Sequence, residues 1–226
     1  MTGNDKIENS GVAIKLSGYR ATRKIHENKN SCVYRGIQYP DNEPVVIKLL
    51  NRMRPSTEEL SRFKREYEIA AGLAGEDVIK TFSLKTHEDS LAIVMEDFGG
   101  DSLKTVFIDH TPDLKETVSL AVKITKGLAL IHQQNVIHKD INPANIVWNR
   151  KENQVKIIDF SIATQLSREI TSVKNPNALE GTLEYISPEQ TGRMNRSLDY
   201  RTDFYSLGVT FYELFTGTRP FESDDA

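Results

Sequence analysis

Cysteine is almost absent. Cys32 stands alone in 226 residues, so no internal disulfide can form, and a reducing compartment suits the chain. A lone cysteine is most simply a small buried side chain, and Cys32 is given no role. Long apolar runs are missing too: none approaches the ~20 residues needed to span a bilayer. The polar start, Met1 to Gly11, has no signal-peptide core. Neither sign of charge is in excess; a formal net charge of −3 speaks against a generic nucleic-acid binder. There is no internal repeat, and His26, His87, His110 and His132 show no metal-ligand spacing. What these absences leave is a cytoplasmic globular protein. Apolar residues at 38% supply a core, charged residues at 27% an ordinary surface, and the length allows one domain or two small lobes.

The most informative stretch runs from Asn135 to Ser161. Two β-type runs, Ile146 to Trp148 and Val155 to Ile158, flank a wholly polar connection, Asn149 to Gln154, which reads as a hairpin. In an antiparallel hairpin the start of one strand lies about 5 Å from the end of the other. Asn145, just before the first strand, is therefore expected beside Asp159, just after the second, with Asp140 a short way upstream. Each alone is an ordinary turn former. Together around one hairpin they suit Mg²⁺, which takes one or two protein oxygens and completes its shell with water and phosphate.

Residues 1–15 read as a flexible leader. Two β-type runs between Tyr19 and Tyr39 flank the polar segment His26 to Ser31, and Val45 to Leu50 forms a third strand, with Val46 and Lys48 on one face. A capping box at Ser56 to Glu59 starts a helix whose stripe is Leu60, Phe63, Tyr67, Ala70, Ala71 and Ala74. Glu66 borders that stripe. A carboxylate there needs a partner, and Lys48 is the candidate. Strand-like runs follow at Val78 to Leu84 and Leu91 to Met95, then Asp97 to Gly100 reads as a linker. The expected organisation is a β-rich lobe over 16–96 and a mostly helical one over 97–226. In the second, Thr111 and Pro112 should open a helix reaching about Gln134, with Leu114, Val118, Ala121, Thr125 and Leu128 along one side. Ile162 to Leu179 reads as a long polar loop in which Ser167, Thr171 and Ser172 are possible phosphosites. A last helix spans roughly Tyr200 to Phe215, with Leu207, Phe211 and Leu214 as core candidates.

These residues resemble the protein kinase family, in the order of its motifs. Val46-Ile47-Lys48 resembles the lysine strand and Glu66 the helix glutamate that pairs with it. Val94-Met95-Glu96 resembles the hinge, His138 to Asn145 the catalytic loop, and Asp159-Phe160-Ser161 the metal-binding tripeptide. Gly181 to Glu189 resembles the close of the activation segment and Asp203 to Gly208 the buried helix behind it. The resemblance implies a bilobal α+β fold and phosphoryl transfer from ATP, with Mg²⁺, to Ser/Thr hydroxyls of a protein substrate. It gives Lys48 the α/β-phosphates, Asn145 and Asp159 the metal, and Asp140 the proton of the substrate hydroxyl. Val33, Val46 and the backbone of Glu96 and Phe98 would meet adenine, and Thr182 would line the substrate groove. His138 would pack behind Phe160. The Gly192 to Arg196 run resembles the kinase module of multidomain sensor and hybrid histidine kinases, which implies fused or partner signalling domains.

Several positions depart from the family pattern. His26, Asn28 and Ser31 stand where its phosphate loop has glycine, which lets backbone amides approach phosphates. Val46 replaces a small residue, Asn142 a lysine near the transferred phosphate, and Lys139 an arginine whose fork reads loop phosphate. Ser161 replaces the last residue of the metal-binding tripeptide. These substitutions leave open a pseudokinase module that regulates fused domains, or a small-molecule phosphotransferase. Glu189 would pair with an arginine far downstream in the family, and the chain reads as a fragment of a longer protein.

Overall fold

The computed structural model describes residues 16–51, 54–166, 180–191 and 198–221. The leader, the loop residues Ser167, Thr171 and Ser172, and the Gly192 to Arg196 run lie outside the described residues. The chain divides into two compact units. One joins the residues up to Ser61 to Phe82–Asp97; the other joins Arg62–Thr81 to the residues from Phe98 onward.

The first unit is built on a five-stranded sheet of β1 (Tyr19–Glu27), β2 (Ser31–Gln38), β3 (Glu43–Leu50), β4 (Thr81–His87) and β5 (Ser90–Glu96), ordered β1-β2-β3-β5-β4. Period-two alternation gives the sheet two unlike faces. Val45, Ile47, Ala92 and Val94 point to one, where they pack with Leu16, none more than 5% exposed. The other carries the cross-strand pairs Val33–Lys48, Lys48–Ile93 and Val46–Met95. A turn with Glu88 at φ 50° links β4 to β5. The expected strand from Val78 starts later because Val78 is diverted into an isolated parallel bridge with Ile157, in the second unit.

Helix α1 (Thr57–Gly72) begins where its capping box predicts. Ser56 Oγ accepts the Glu59 N–H at 3.2 Å, and Glu59 Oε2 accepts the Ser56 N–H at 2.8 Å. Its buried face is Phe63, Glu66, Ile69 and Ala70. The expected stripe is thus rotated: Ala71 is exposed, Ala74 lies beyond the helix end, and Glu66 belongs to the buried face itself.

The second unit holds β6 (Asp101–Ser102), α2 (Leu103–Asp109), α3 (Leu114–Gln133), β7 (Val136–Ile137), β8 (Ile146–Asn149), β9 (Gln154–Ile157), β10 (Thr164–Gln165) and α4 (Arg201–Thr216). Helix α2, capped by Ser102, lies between the expected linker and the expected Thr111–Pro112 helix start, where the sequence reading assigned no element; it is too short to show helical periodicity. Helix α3 is capped by Asp113 in a reciprocal box with Glu116, so Thr111 and Pro112 lie before the cap. Thr117, Leu120, Ile124, Gly127, Leu128 and Ile131 are its buried residues. Of the expected side only Leu128 is buried, while Leu114 is 73% and Val118 47% exposed. In α4, Leu207 and Leu214 are buried and Phe211 is half-buried. Gly217 ends that helix at φ 73°, a left-handed conformation glycine adopts at no steric cost. Among the described residues no helix is long and apolar enough to cross a membrane.

Candidate active site

The predicted hairpin forms, with Asn145 falling opposite Ile158, one residue short of Asp159. Ile146 pairs with Ile157 and Trp148 with Val155, and the connection tightens to the residues between Asn149 and Gln154, which themselves pair. The Ile158 N–H donates to the Asn145 carbonyl at 2.9 Å, so the backbone brings Asn145 beside the residue before Asp159. Asp159 has φ 65°, and its Oδ1 accepts the Ser161 N–H at 3.1 Å. Non-glycine residues held at positive φ store about 1–3 kcal/mol each and cluster at functional sites.

Asp140 is the point of convergence. Asn145 Nδ2 donates to its Oδ2 at 2.8 Å and its main-chain carbonyl at 2.9 Å. Its Oδ1 accepts the Thr182 N–H at 2.9 Å and the Thr182 hydroxyl at 2.8 Å. Gly181, at φ 114°, turns the chain so that both Thr182 donors reach the same oxygen. Asn142 completes the cluster: Nδ2 lies 3.1 Å from Asp140 Oδ1 and 3.2 Å from Thr182 Oγ1, while Oδ1 accepts the Ala144 N–H at 2.9 Å. Every one of these side-chain donors is neutral, so among the described residues the carboxylate is aimed and held by uncharged groups.

Asn142 is the functional residue that sequence reasoning missed, having been read only as an absent lysine. Its own position just before Pro143 was the available signal, because Asn at such a place caps the turn that follows.

The support around Asp140 is buried. His138 lies edge-on to Phe160 with ring centroids 5.0 Å apart, as its structural reading expects. Its Nδ1 accepts the Asp140 N–H at 3.3 Å, which leaves Nε2 to donate to the Ile158 carbonyl at 3.1 Å. Asp203, with no exposed surface, accepts the N–H of His138 at 2.9 Å and of Lys139 at 2.7 Å, and sits 2.8 Å from His132 Nε2. Lys139 Nζ lies 3.8 Å from Glu180, which is also 3.9 Å from Arg62. Glu189 accepts the Thr202 hydroxyl at 3.0 Å. Tyr185 donates its phenol to Glu213, and burial pushes its pKa up.

The remaining candidates fall as follows. Lys48, 6% exposed, shares a sheet face in the first unit with half-buried Val33 and Val46, and Glu96 ends β5 opposite Val45. Glu66, 7% exposed, lies in the second unit, as does Phe98, whose carbonyl accepts the Asn149 side-chain amide. Cys32 is buried with its thiol pKa raised, first by burial, in keeping with a packing role.

Comparison with known proteins agrees with these motifs. The chain is 33% identical over 208 residues to a probable serine/threonine-protein kinase of Clostridium perfringens, covering 91% of this chain and 30% of that protein. It is 32% identical over 218 residues to the serine/threonine-protein kinase PrkC of Bacillus subtilis, covering 95% and 33%. It is 31% identical over 216 residues to the serine/threonine-protein kinase PknL of Mycobacterium tuberculosis, covering 95% and 53%. The chain thus spans between 30% and 53% of the length of these relatives. Residues 19–226 match the model of the protein kinase domain, and with its α+β architecture the chain belongs to that family.

Proposed function

We propose that this chain carries ATP-dependent phosphoryl transfer to Ser/Thr hydroxyls of a protein substrate. The observation that carries the reading is the Asp140 carboxylate, oriented by Asn142, Asn145 and Thr182. Phosphoryl transfer asks a protein chiefly to position groups and balance charge. Asp140 accepts the proton of the acceptor hydroxyl and aims it. An oriented carboxylate of ordinary acidity suffices, because placing the hydroxyl matters more than base strength. Thr182 bounds the acceptor groove and shares its hydroxyl with Asp140, which favours Ser/Thr over Tyr as acceptor. Lys48, with Glu66 as its carboxylate partner, holds the α/β-phosphates. Val33, Val46 and the backbone of Glu96 and Phe98 enclose the adenine.

Asn145 and Asp159 fit a divalent cation such as Mg²⁺, since both offer hard oxygen donors and Asn145 turns its nitrogen to Asp140, leaving its amide oxygen for a metal. When bound, the cation neutralises charge on the nucleotide phosphates. A cytoplasmic location and fused signalling domains, as in multidomain sensor kinases, complete the proposal. The kinase names of the relatives support it over a regulatory module without activity or a small-molecule phosphotransferase.

The test is transfer of label from γ-labelled ATP to a protein acceptor by the purified protein and by Asp140→Asn. The substitution should reduce incorporation at least about a hundredfold, the scale of a lost general base. Equal incorporation by both proteins sinks the catalytic reading.

A further inference from the structure

The turn joining β1 to β2 holds itself together with its own side chain. Asn28 Oδ1 accepts the N–H of Asn30 at 2.8 Å and of Ser31 at 2.7 Å, with the Ser31 hydroxyl at 3.4 Å. The Asn28 N–H donates to the Ser31 carbonyl at 2.9 Å. Asn51, which follows β3, ties the turn down from the next strand: its N–H donates to the Asn30 carbonyl at 2.8 Å, and its Nδ2 lies 3.5 Å from the Asn28 carbonyl. Across the hairpin His26 pairs with Val33, and Val33 with Lys48, so the turn closes the end of the face that carries Lys48.

Successive amides aimed at one oxygen make the kind of nest that grips a phosphate oxygen. Here that acceptor is supplied by the turn. The Asn30 and Ser31 amides can reach a nucleotide only after Asn28 gives them up. A glycine at position 28 would have no side-chain carbonyl to offer, so the residue that replaces glycine also occupies the donors that glycine would leave open.

Resting on the proposed nucleotide-binding role of this sheet, we infer that Asn28 is a specificity-determining residue. Its side-chain carbonyl stands in for a phosphate oxygen, so the Asn30 and Ser31 amides give the nucleotide phosphates no main-chain hydrogen bonds. Recognition of an adenine nucleotide then depends on the nucleoside, on Lys48 and on the metal-binding residues.

The test compares Asn28→Ala, which deletes the acceptor, with Asn28→Asp, which keeps one. Calorimetry with Mg-ATP and with adenosine is read alongside hydrogen exchange at the Asn30 and Ser31 amides. Asn28→Ala should speed exchange at both amides and tighten Mg-ATP binding about fivefold, the equivalent of one net hydrogen bond, with adenosine affinity unchanged. Asn28→Asp should keep the amides protected and gain no affinity. If Asn28→Ala leaves Mg-ATP affinity unchanged or weakens it while adenosine still binds, the inference about Asn28 is overturned and the nucleotide reading survives. If the wild-type protein binds neither ligand, the nucleotide reading falls and this inference with it.

Discussion

Asp203 shows what a single buried side chain does for the catalytic loop. Its carboxylate takes the N–H groups of His138 and Lys139 and faces His132, and Lys139 sits at φ 68°, where a side chain is sterically disfavoured. These two bonds to Asp203 hold the loop in that strained shape. Asp203→Ala would strand both, at about 1–3 kcal/mol each, so a loss of about 2–6 kcal/mol is expected in the urea-derived stability. A loss under about 1 kcal/mol, within the range of ordinary surface substitutions, would mean that the amides have another partner. From the sequence Asp203 was legible only as the start of a helix; its acceptor role depends on donors far away along the chain. Asn142 taught the converse lesson. Measured against a lysine it is a deficit of charge, and only coordinates give its amide two tasks, capping the turn and bridging Asp140 to Thr182.

At the scale of elements, hairpins were legible and helix faces were not. Alternation and a polar connection are local signals, so although their register came only with the structure, β8 and β9 could be expected from the sequence to pair as a hairpin. The same holds for the capping box of α1. Helix α3 carries apolar residues on more than one side, and periodicity cannot say which side faces the core. It faces inward with Leu120 and Ile124, at most 1% exposed, whereas Leu114 is 73% exposed. Burial therefore separates two chemically identical substitutions. Leu120→Ala should cost about 2–5 kcal/mol through lost transfer energy and a cavity, and Leu114→Ala less than about 0.5 kcal/mol. Denaturant midpoints at unchanged m-value measure both. Equal losses would return α3 to the orientation its sequence suggests.

For the whole molecule, the sequence divided the chain at one place near Asp97, while the compact units interleave: Arg62–Thr81 joins the residues from Phe98 onward. The reason is a main-chain link that no local pattern announces. Ile157 donates its N–H to the Asp77 carbonyl at 3.1 Å and accepts the Ile79 N–H at 3.2 Å, fastening the segment after α1 to the end of β9. The proposed ligand groups are likewise divided, with Lys48 in one unit and Asp140, Asn145 and Asp159 in the other. Thermal stability reads the binding of a metal-nucleotide complex. A ligand that binds only the folded protein adds about 2.7 kcal/mol at a hundred times its dissociation constant. Mg-ATP should therefore raise the Tm of the wild-type protein more than ATP with excess chelator does. Asp159→Asn removes one oxygen charge while its side chain can still accept from Ser161, and the ligand-free Tm of the variant serves as its own baseline. Its shift with Mg-ATP should shrink to the value seen with chelator. A variant that keeps the full magnesium-dependent shift would remove Asp159 from the metal site and leave Asn145 without the partner that the hairpin was read to supply.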